Sequence, residues 1–174
     1  APGLETVHTI PMGVSQSKPN FASVARIRRR YQRRVEPLIL FVGRLVYEKG
    51  VDDLIRAVAV LADRNSDVTA IIVGEGQDRS ELETLAQTLG VQERVIFTGW
   101  VQPDEVVNYL SAANIFAGPS KRSPDGWIEA QGLTFIEAML VETTVVATRT
   151  GGIVDSVRHR SEEHTSELQS RSEL

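Results

Sequence analysis

Two glutamates eight positions apart, Glu129 and Glu137, flank the turn Gly132-Leu133-Thr134 and lead into the apolar run Ala138-Met139-Leu140. A helix beginning near Thr134 would offer its first free backbone N–H groups, and the positive end of its dipole, to whatever lies above the loop. That arrangement suits a phosphate. Glu137 then stands one turn inside the helix, where its carboxylate can accept hydrogen bonds from hydroxyl groups, and Glu129 reaches the same place from the loop. Negative side chains have no reason to grip a phosphate, so the matching ligand carries hydroxyl groups at both ends and a diphosphate between them.

A bare glutamate pair at this spacing is also what surface charge and dipole compensation produce. A second segment favours the ligand reading. Gly43-Arg44-Leu45-Val46-Tyr47-Glu48-Lys49-Gly50 closes the apolar run Leu38-Ile39-Leu40-Phe41-Val42 and supplies two cations. Arg44 offers a planar fork of donors and Lys49 a point charge, the two ways proteins hold phosphate oxygens. Both can also be read as surface charges beside a turn, but a strand exit flanked by Gly43 and Gly50 favours phosphate. Together the four side chains fit a nucleotide sugar. Trp100 and Trp127 are open to two readings, stacking platforms or packed aromatics.

The elements that must position these groups alternate along the chain. Short apolar runs rich in Val, Ile and Phe predict strands at 38–42, 69–73, 94–98, 114–117 and 144–148, as in a parallel sheet covered on both faces. Helices fall between them. Leu54, Ile55, Val58 and Leu61 make one apolar face, and Leu82, Leu85 and Leu89 a second, opened by a capping box Ser80-x-x-Glu83 and stopped at Gly90. Pro103 starts a third that carries Val106, Val107 and Leu110 inward. This α/β alternation predicts a doubly wound, Rossmann-like parallel sheet in the order 3-2-1-4-5, with its switch point between the first and fourth strands. The loops leaving those two strands hold Arg44 and Lys49 in one case and residues 120–133 in the other, so one crevice receives both.

Several motifs occur in the order found in one enzyme family: Ile10-Pro11-Met12-Gly13-Val14, Phe41-Val42-Gly43-Arg44-Leu45 with Lys49-Gly50, Val73-Gly74-Glu75-Gly76, and Phe97-Thr98-Gly99-Trp100-Val101. They continue with Pro119-Ser120, the Glu129 to Glu137 motif, and Val145-Val146-Ala147-Thr148 with Gly151-Gly152. Over residues 8 to 157 the chain resembles the donor-binding, C-terminal half of retaining glycosyltransferases of family 4 (group 1), which have the two-Rossmann-domain GT-B architecture. The resemblance implies that Arg44 and Lys49 bind the diphosphate beside Gly43 and neutralise the leaving group. It implies that amides of Gly132, Leu133 and Thr134 touch the same phosphates, that Glu129 binds hydroxyls of the donor sugar, and that Glu137 binds the ribose. Glu129, Arg44 and Lys49 would be the catalytic groups, with Gly99, Trp100 and Val101 beside the base. Two departures stand out: Ala130-Gln131 where the family has an aromatic residue and Gly, and Met12 where it has Asn.

For the whole protein the resemblance implies a retaining glycosyltransferase that moves a sugar from a nucleoside diphosphate to a sugar, lipid or other acceptor. No Asp-x-Asp metal motif occurs, and neither metal nor cofactor is expected. Two other classes of answer are a GT-B nucleotide-sugar epimerase and a non-catalytic nucleotide-binding module. The resemblance implies an acceptor domain upstream, with residues 1–17 as its end and the hinge, and an incomplete nucleotide-sugar-binding domain at 37–159. The sheet is expected to lack a later strand and helices, and this chain alone is expected to be inactive in transfer.

Composition is that of a globular domain of 174 residues, 41% hydrophobic and 24% charged. The absence of cysteine excludes disulfides and thiolate metal sites. His8, His159 and His164 show no metal-ligand spacing, and no apolar run approaches the roughly 20 residues of a membrane span. A cytoplasmic setting is expected. Residues 18–36 form a basic connecting segment with Arg26, Arg28, Arg29, Arg30, Arg33 and Arg34, showing no clear apolar face. It reads as a solvated helix between domains or as a peripheral contact to an anionic membrane, with no nucleic-acid partner. From Arg160 to Ser170 the chain matches an in-frame translation of a short-read sequencing adapter, so residues 160–174 are expected to be non-native. Without residues 161–174 the net charge moves from −4 to −1.

Overall fold

In a computed structural model of the chain, residues 14, 17–32, 36–130 and 132–157 are described. The hinge residues 10–13, Arg33, Arg34, Gln131 and the adapter-like segment 160–174 lie outside them. Strands β1 (Leu38–Val42), β2 (Thr69–Val73), β3 (Val95–Gly99), β4 (Ile115–Gly118) and β5 (Thr144–Ala147) form one parallel sheet. Its order is β3-β2-β1-β4-β5, the doubly wound topology the alternation predicts.

Because side chains alternate across a strand, the central strands feed two cores at once. Ile39, Phe41, Ala70 and Ile72 point to one face, where they pack with α2 (Val51–Asp63) and α3 (Arg79–Thr88). Leu38, Leu40, Ile71 and Val73 point to the other, against α1 (Phe21–Tyr31), α4 (Pro103–Ala112), α5 (Leu133–Leu140) and α6 (Ile153–Ser156). All of β2 is buried, whereas β5 alternates between exposed and partly exposed residues and leaves Val146 56% exposed. Among the described residues β5 is an edge strand.

Helix α4 starts at Pro103 as expected, since proline's missing N–H costs nothing in the first turn. Helix α3 does not start as expected. Its N-cap position is Asp78, Ser80 lies inside the helix and caps nothing, and Glu83 accepts from Arg79 Nε at 2.9 Å. The pattern Ser-x-x-Glu also arises inside an exposed helix, and here Glu83 pairs instead with Arg79 at i, i+4. Helix α1 does have an inward face. Ile27 and Tyr31 are buried, and Arg28 extends across α4 to donate to the carbonyls of Ala112 at 3.0 Å and Ser111 at 3.3 Å. The arginine that hid the apolar face in the sequence thus satisfies carbonyls at the end of α4.

The true cap of α1 is Asn20, whose side chain accepts from Ser23 N–H at 3.0 Å while its own N–H donates to the buried Asn108 at 2.7 Å. Asn20→Ala should therefore cost about 1 kcal/mol of folding stability, and Ser80→Ala no more than about 0.5 kcal/mol. Urea unfolding followed by circular dichroism checks the pair. Equal losses would mean that one of the two cap assignments is wrong.

Candidate functional site

The parallel pairing of β1 with β4 sets the exits of these two strands side by side. After β1, residues Tyr47–Lys49 form a single 3-10 turn that ends at Gly50 in the left-handed region, φ 67°. A Cβ at Gly50 would collide with the Pro119 carbonyl at the exit of β4, so glycine permits both the turn and the close approach. Lys49 is thereby aimed at the loop between β4 and α5. Its ammonium pairs directly with the Glu129 carboxylate and lies 5.5 Å from the centroid of the Trp127 ring. Glu129 is buried.

The backbone of Glu129 is clamped from behind. Gly152 N–H donates to its carbonyl at 2.9 Å, and Gly151, at φ 54°, is so close that a Cβ would strike the same oxygen. The Gly151-Gly152 turn is therefore part of the site's support. Ahead of Glu129 the loop closes on itself: Ser123 N–H donates to Trp127 O at 3.0 Å and Trp127 N–H to Ser123 Oγ at 2.9 Å. The Ser123 hydroxyl also binds the Asp125 carboxylate, whose pKa is lowered chiefly by that bond.

Lys121 ties this loop to the next helix. Its ammonium donates to Asp52 Oδ1 at 2.7 Å and Oδ2 at 2.8 Å and to Asp53 at 3.4 Å, and lies 4.5 Å from the Tyr47 ring centroid. Burial alone would lower the Lys121 pKa, but the hydrogen bond and charge of Asp52, followed by Asp53, outweigh it and the pKa is raised. Nothing local in the sequence marks this lysine. Its partners are the two acids that open α2, where such residues are ordinary dipole compensation.

Helix α5 begins at Leu133 from Gly132, one residue before the expected start, and no side chain caps it. The amides of Leu133 and Thr134 find no acceptor among the described residues, which leaves the helix start open to a ligand. Glu137 lies farther along the same helix, in a small groove with Pro103, Val106, Val107 and Leu140. No described group donates to its carboxylate, and burial pushes its pKa up. Pro103 follows Gly99, Trp100 and Val101 on the way out of β3, so that segment approaches the Glu137 end of α5 through the start of α4. Trp100 is 61% exposed.

Arg44 is brought to the same strand exit but not into the Lys49–Glu129 pair. It is exposed and lies 3.9 Å from Glu48. A larger cavity of about 260 Å³ sits between α2 and α3, lined in part by Val46, Asp52, Arg56 and Glu81, and contains none of Arg44, Lys49, Glu129 and Glu137. The charged groups that meet at the switch point are those the sequence marks by their place at strand and helix ends. Lys121 is not singled out, because its partners Asp52 and Asp53 lie 69 and 68 positions away; the Ser123 turn is held by bonds within four residues, and Gly151, read in the sequence only as a motif, acts on the distant Glu129 carbonyl.

Comparison with known proteins places this geometry in a family. The family described as Glycosyl transferases group 1 matches residues 24–165. The 2-deoxystreptamine glucosyltransferase of Streptomyces kanamyceticus is 36% identical over 138 residues, 78% of this chain and 34% of that protein. A GDP-mannose-dependent alpha-(1-6)-phosphatidylinositol monomannoside mannosyltransferase of Mycobacterium tuberculosis is 33% identical over 153 residues, 86% of this chain and 40% of that protein. Among solved structures, Anabaena Alr3699/HepE in complex with UDP-glucose superposes with a TM-score of 0.67 at 29% identity, covering 80% of this chain and 37% of that one. The chain thus spans between a third and two fifths of the length of these relatives. With its doubly wound sheet, the paired switch-point loops and a match over most of its length, the chain belongs to the group 1 glycosyl transferase family.

Proposed function

We propose that this chain is the donor-binding half of a retaining GT-B glycosyltransferase, which transfers a glycosyl group from a nucleoside diphosphate to an acceptor held by another domain. The observation that carries this reading is the Lys49–Glu129 pair at the β1/β4 switch point, beside the open amides of α5. Arg44, Lys49 and those amides take the diphosphate without a divalent ion. As the glycosyl–oxygen bond breaks, negative charge grows on the departing phosphate oxygen, and fixed cations there lower the barrier. Glu129 takes sugar hydroxyls, and Glu137 the ribose, with Gly99, Trp100 and Val101 beside the base. The complex of the Anabaena protein with UDP-glucose and the GDP-mannose named for the mycobacterial relative support a donor of this class.

Among the described residues no helix is long and apolar enough to cross a membrane. In this reading the enzyme is cytoplasmic, and the exposed Arg26, Arg29 and Arg30 on the outer face of α1, near the exposed Phe21, meet an anionic membrane surface. Absence of salt-sensitive sedimentation with phosphatidylserine vesicles would refute that contact.

Titration of UDP and GDP by calorimetry in EDTA tests the donor site. One of them should bind, and Lys49→Ala should weaken it roughly tenfold or more, the worth of a hydrogen bond to a charged group. Binding that needs magnesium or manganese would overturn the metal-free account. Since Glu129 pairs with Lys49, a diphosphate must draw the ammonium away from it. Glu129→Gln should therefore bind the bare nucleoside diphosphate about fivefold tighter, by removing a nearby negative charge worth about 1 kcal/mol. The same variant should lose affinity for the nucleotide sugar. Weakened binding of both ligands would show that Glu129 does not compete for Lys49.

Glu137 makes a prediction of opposite sign in stability and binding. A carboxyl whose pKa is raised on folding holds its proton more tightly in the folded state. Stability is then greatest below the unfolded value and is lost as pH rises through the folded one. Glu137→Gln should accordingly raise the unfolding midpoint at neutral pH, and the gain should vanish below about pH 4, the ordinary glutamate range. Nucleoside diphosphate affinity should fall roughly tenfold in the same variant, because ribose hydroxyls lose a charged acceptor. A gain in stability with unchanged affinity would remove Glu137 from the site.

A further inference from the structure

We propose that Lys121 is a positioning residue for donor recognition: by tying the 119–129 loop to Asp52 and Asp53 of α2, it stations Trp127 and Glu129 around the Lys49 ammonium. The inference rests on the donor-site reading above and adds the device that keeps the sugar-binding carboxylate in place.

The loop is closed at its tip by bonds within itself, between Ser123 and Trp127 and from Gly126 N–H to Ser123 O at 3.0 Å. Such bonds fix its shape and not its place. Its rear is held by Thr148, whose hydroxyl donates to Ser120 O, and by Gly152 on Glu129 O. On the side facing the 3-10 turn and α2 it is held at its end by the Lys49–Glu129 pair, at its start by the Lys121 N–H, which donates to Glu48 O at 2.8 Å, and by the Lys121 side chain. Among the described residues no other side chain of residues 119–128 bonds to α2.

Lys121 cannot be counted as a second phosphate ligand. Its three ammonium hydrogens meet three carboxylate oxygens, on Asp52 and Asp53, and its charge lies over Tyr47. Two acids already neutralise it. What it does control is where the next residues of the loop lie. Lys49 belongs to the same turn as Tyr47 and Glu48, so the loop anchored there presents Trp127 and Glu129 to Lys49 at a fixed offset. Arg44 and Lys49 are not on the loop. Loosening it should therefore weaken recognition of the sugar far more than recognition of the diphosphate.

Lys121→Met keeps the apolar stem and removes the bonds, Lys121→Arg keeps the charge, and Asp52→Asn weakens the anchor from the other side. Without nucleotide, the amides of residue 121 and Gly152, which bond Glu48 O and Glu129 O across the two sides of the loop, should exchange hydrogen about tenfold faster in Lys121→Met, while β2 amides keep their wild-type rates. Asp52→Asn should shift the same amides in the same direction, and it replaces Lys121→Met if that variant does not fold. Lys121→Arg should stay close to wild type. In parallel, UDP and UDP-glucose, and GDP and GDP-mannose, are titrated by calorimetry. The ratio of diphosphate to nucleotide-sugar dissociation constants should fall several-fold in Lys121→Met, with diphosphate affinity changing no more than about twofold.

Unchanged exchange at residue 121 and Gly152 would overturn the anchor. Faster exchange with an unchanged sugar increment would overturn its part in recognition. Failure of every nucleotide to bind the wild type would instead defeat the donor-site reading, and the exchange measurement would still decide whether Lys121 holds the loop.

Discussion

The parallel pairing of β1 with β4 is the constraint on which the rest of the site depends. Parallel neighbours emit their following loops at the same edge of the sheet, and where the order turns back on itself those loops have no strand between them. Here the pairing of Leu40 with Phe116 carries the 3-10 turn of Lys49 and the loop of Glu129 to a common edge. Gly50 then permits contact between the two exits that a side chain would block. The ion pair at the centre of the site is thus a product of sheet register. Its two members are 80 residues apart in sequence.

The charges in the crevice are matched in pairs. Lys49 is set against Glu129, Arg44 near Glu48, and Lys121 against Asp52 and Asp53. Pairing reduces the cost of holding cations partly out of water, since an isolated buried charge is expensive and a paired one much less so. Under the proposed function the Lys49 pair is exchangeable, because a diphosphate offers oxygens of greater charge than one carboxylate. For Lys121 it is not, because two carboxylates and an aromatic face already surround it. Glu137 stands apart from this scheme. It sits partly buried against apolar walls with no donor among the described residues, an arrangement that costs stability and suits a ligand hydroxyl.

Strand positions and sheet order were legible because they rest on short-range signals and a general topological rule. Leu38 to Val42 alternate between two cores, and a run apolar at every position is what a strand covered on both faces requires. The meeting of Lys49 with Glu129 was legible because the loops that carry them leave neighbouring strands at the switch point. Ser80 misled because Ser-x-x-Glu has the spacing of a capping box wherever it falls, whereas here the helix starts from Asp78 and Glu83 is engaged by Arg79. Helix α1 misled because Arg28 looks polar in sequence yet spends its guanidinium on carbonyls of α4. Lys121 was invisible because its partner Asp52 lies 69 positions away on another helix. Only the fold brings the two together.

The site lies on the boundary between two unequal halves of the sheet. On one side β1 and β2 are almost wholly buried between two helical layers. On the other, β4 pairs with the partly exposed β5, and the Glu129 loop is fastened to this flank by Thr148 and Gly152. Lys121 bridges the two, rooted on the loop and bonded to α2. The Lys49–Glu129 pair joins the same halves directly, so under the proposed roles a diphosphate that draws Lys49 away releases that tie and leaves Lys121 to hold the loop. The diphosphate would then be gripped from the β1 side and the sugar from the β4 side, which separates how tightly the nucleotide is held from which sugar it carries.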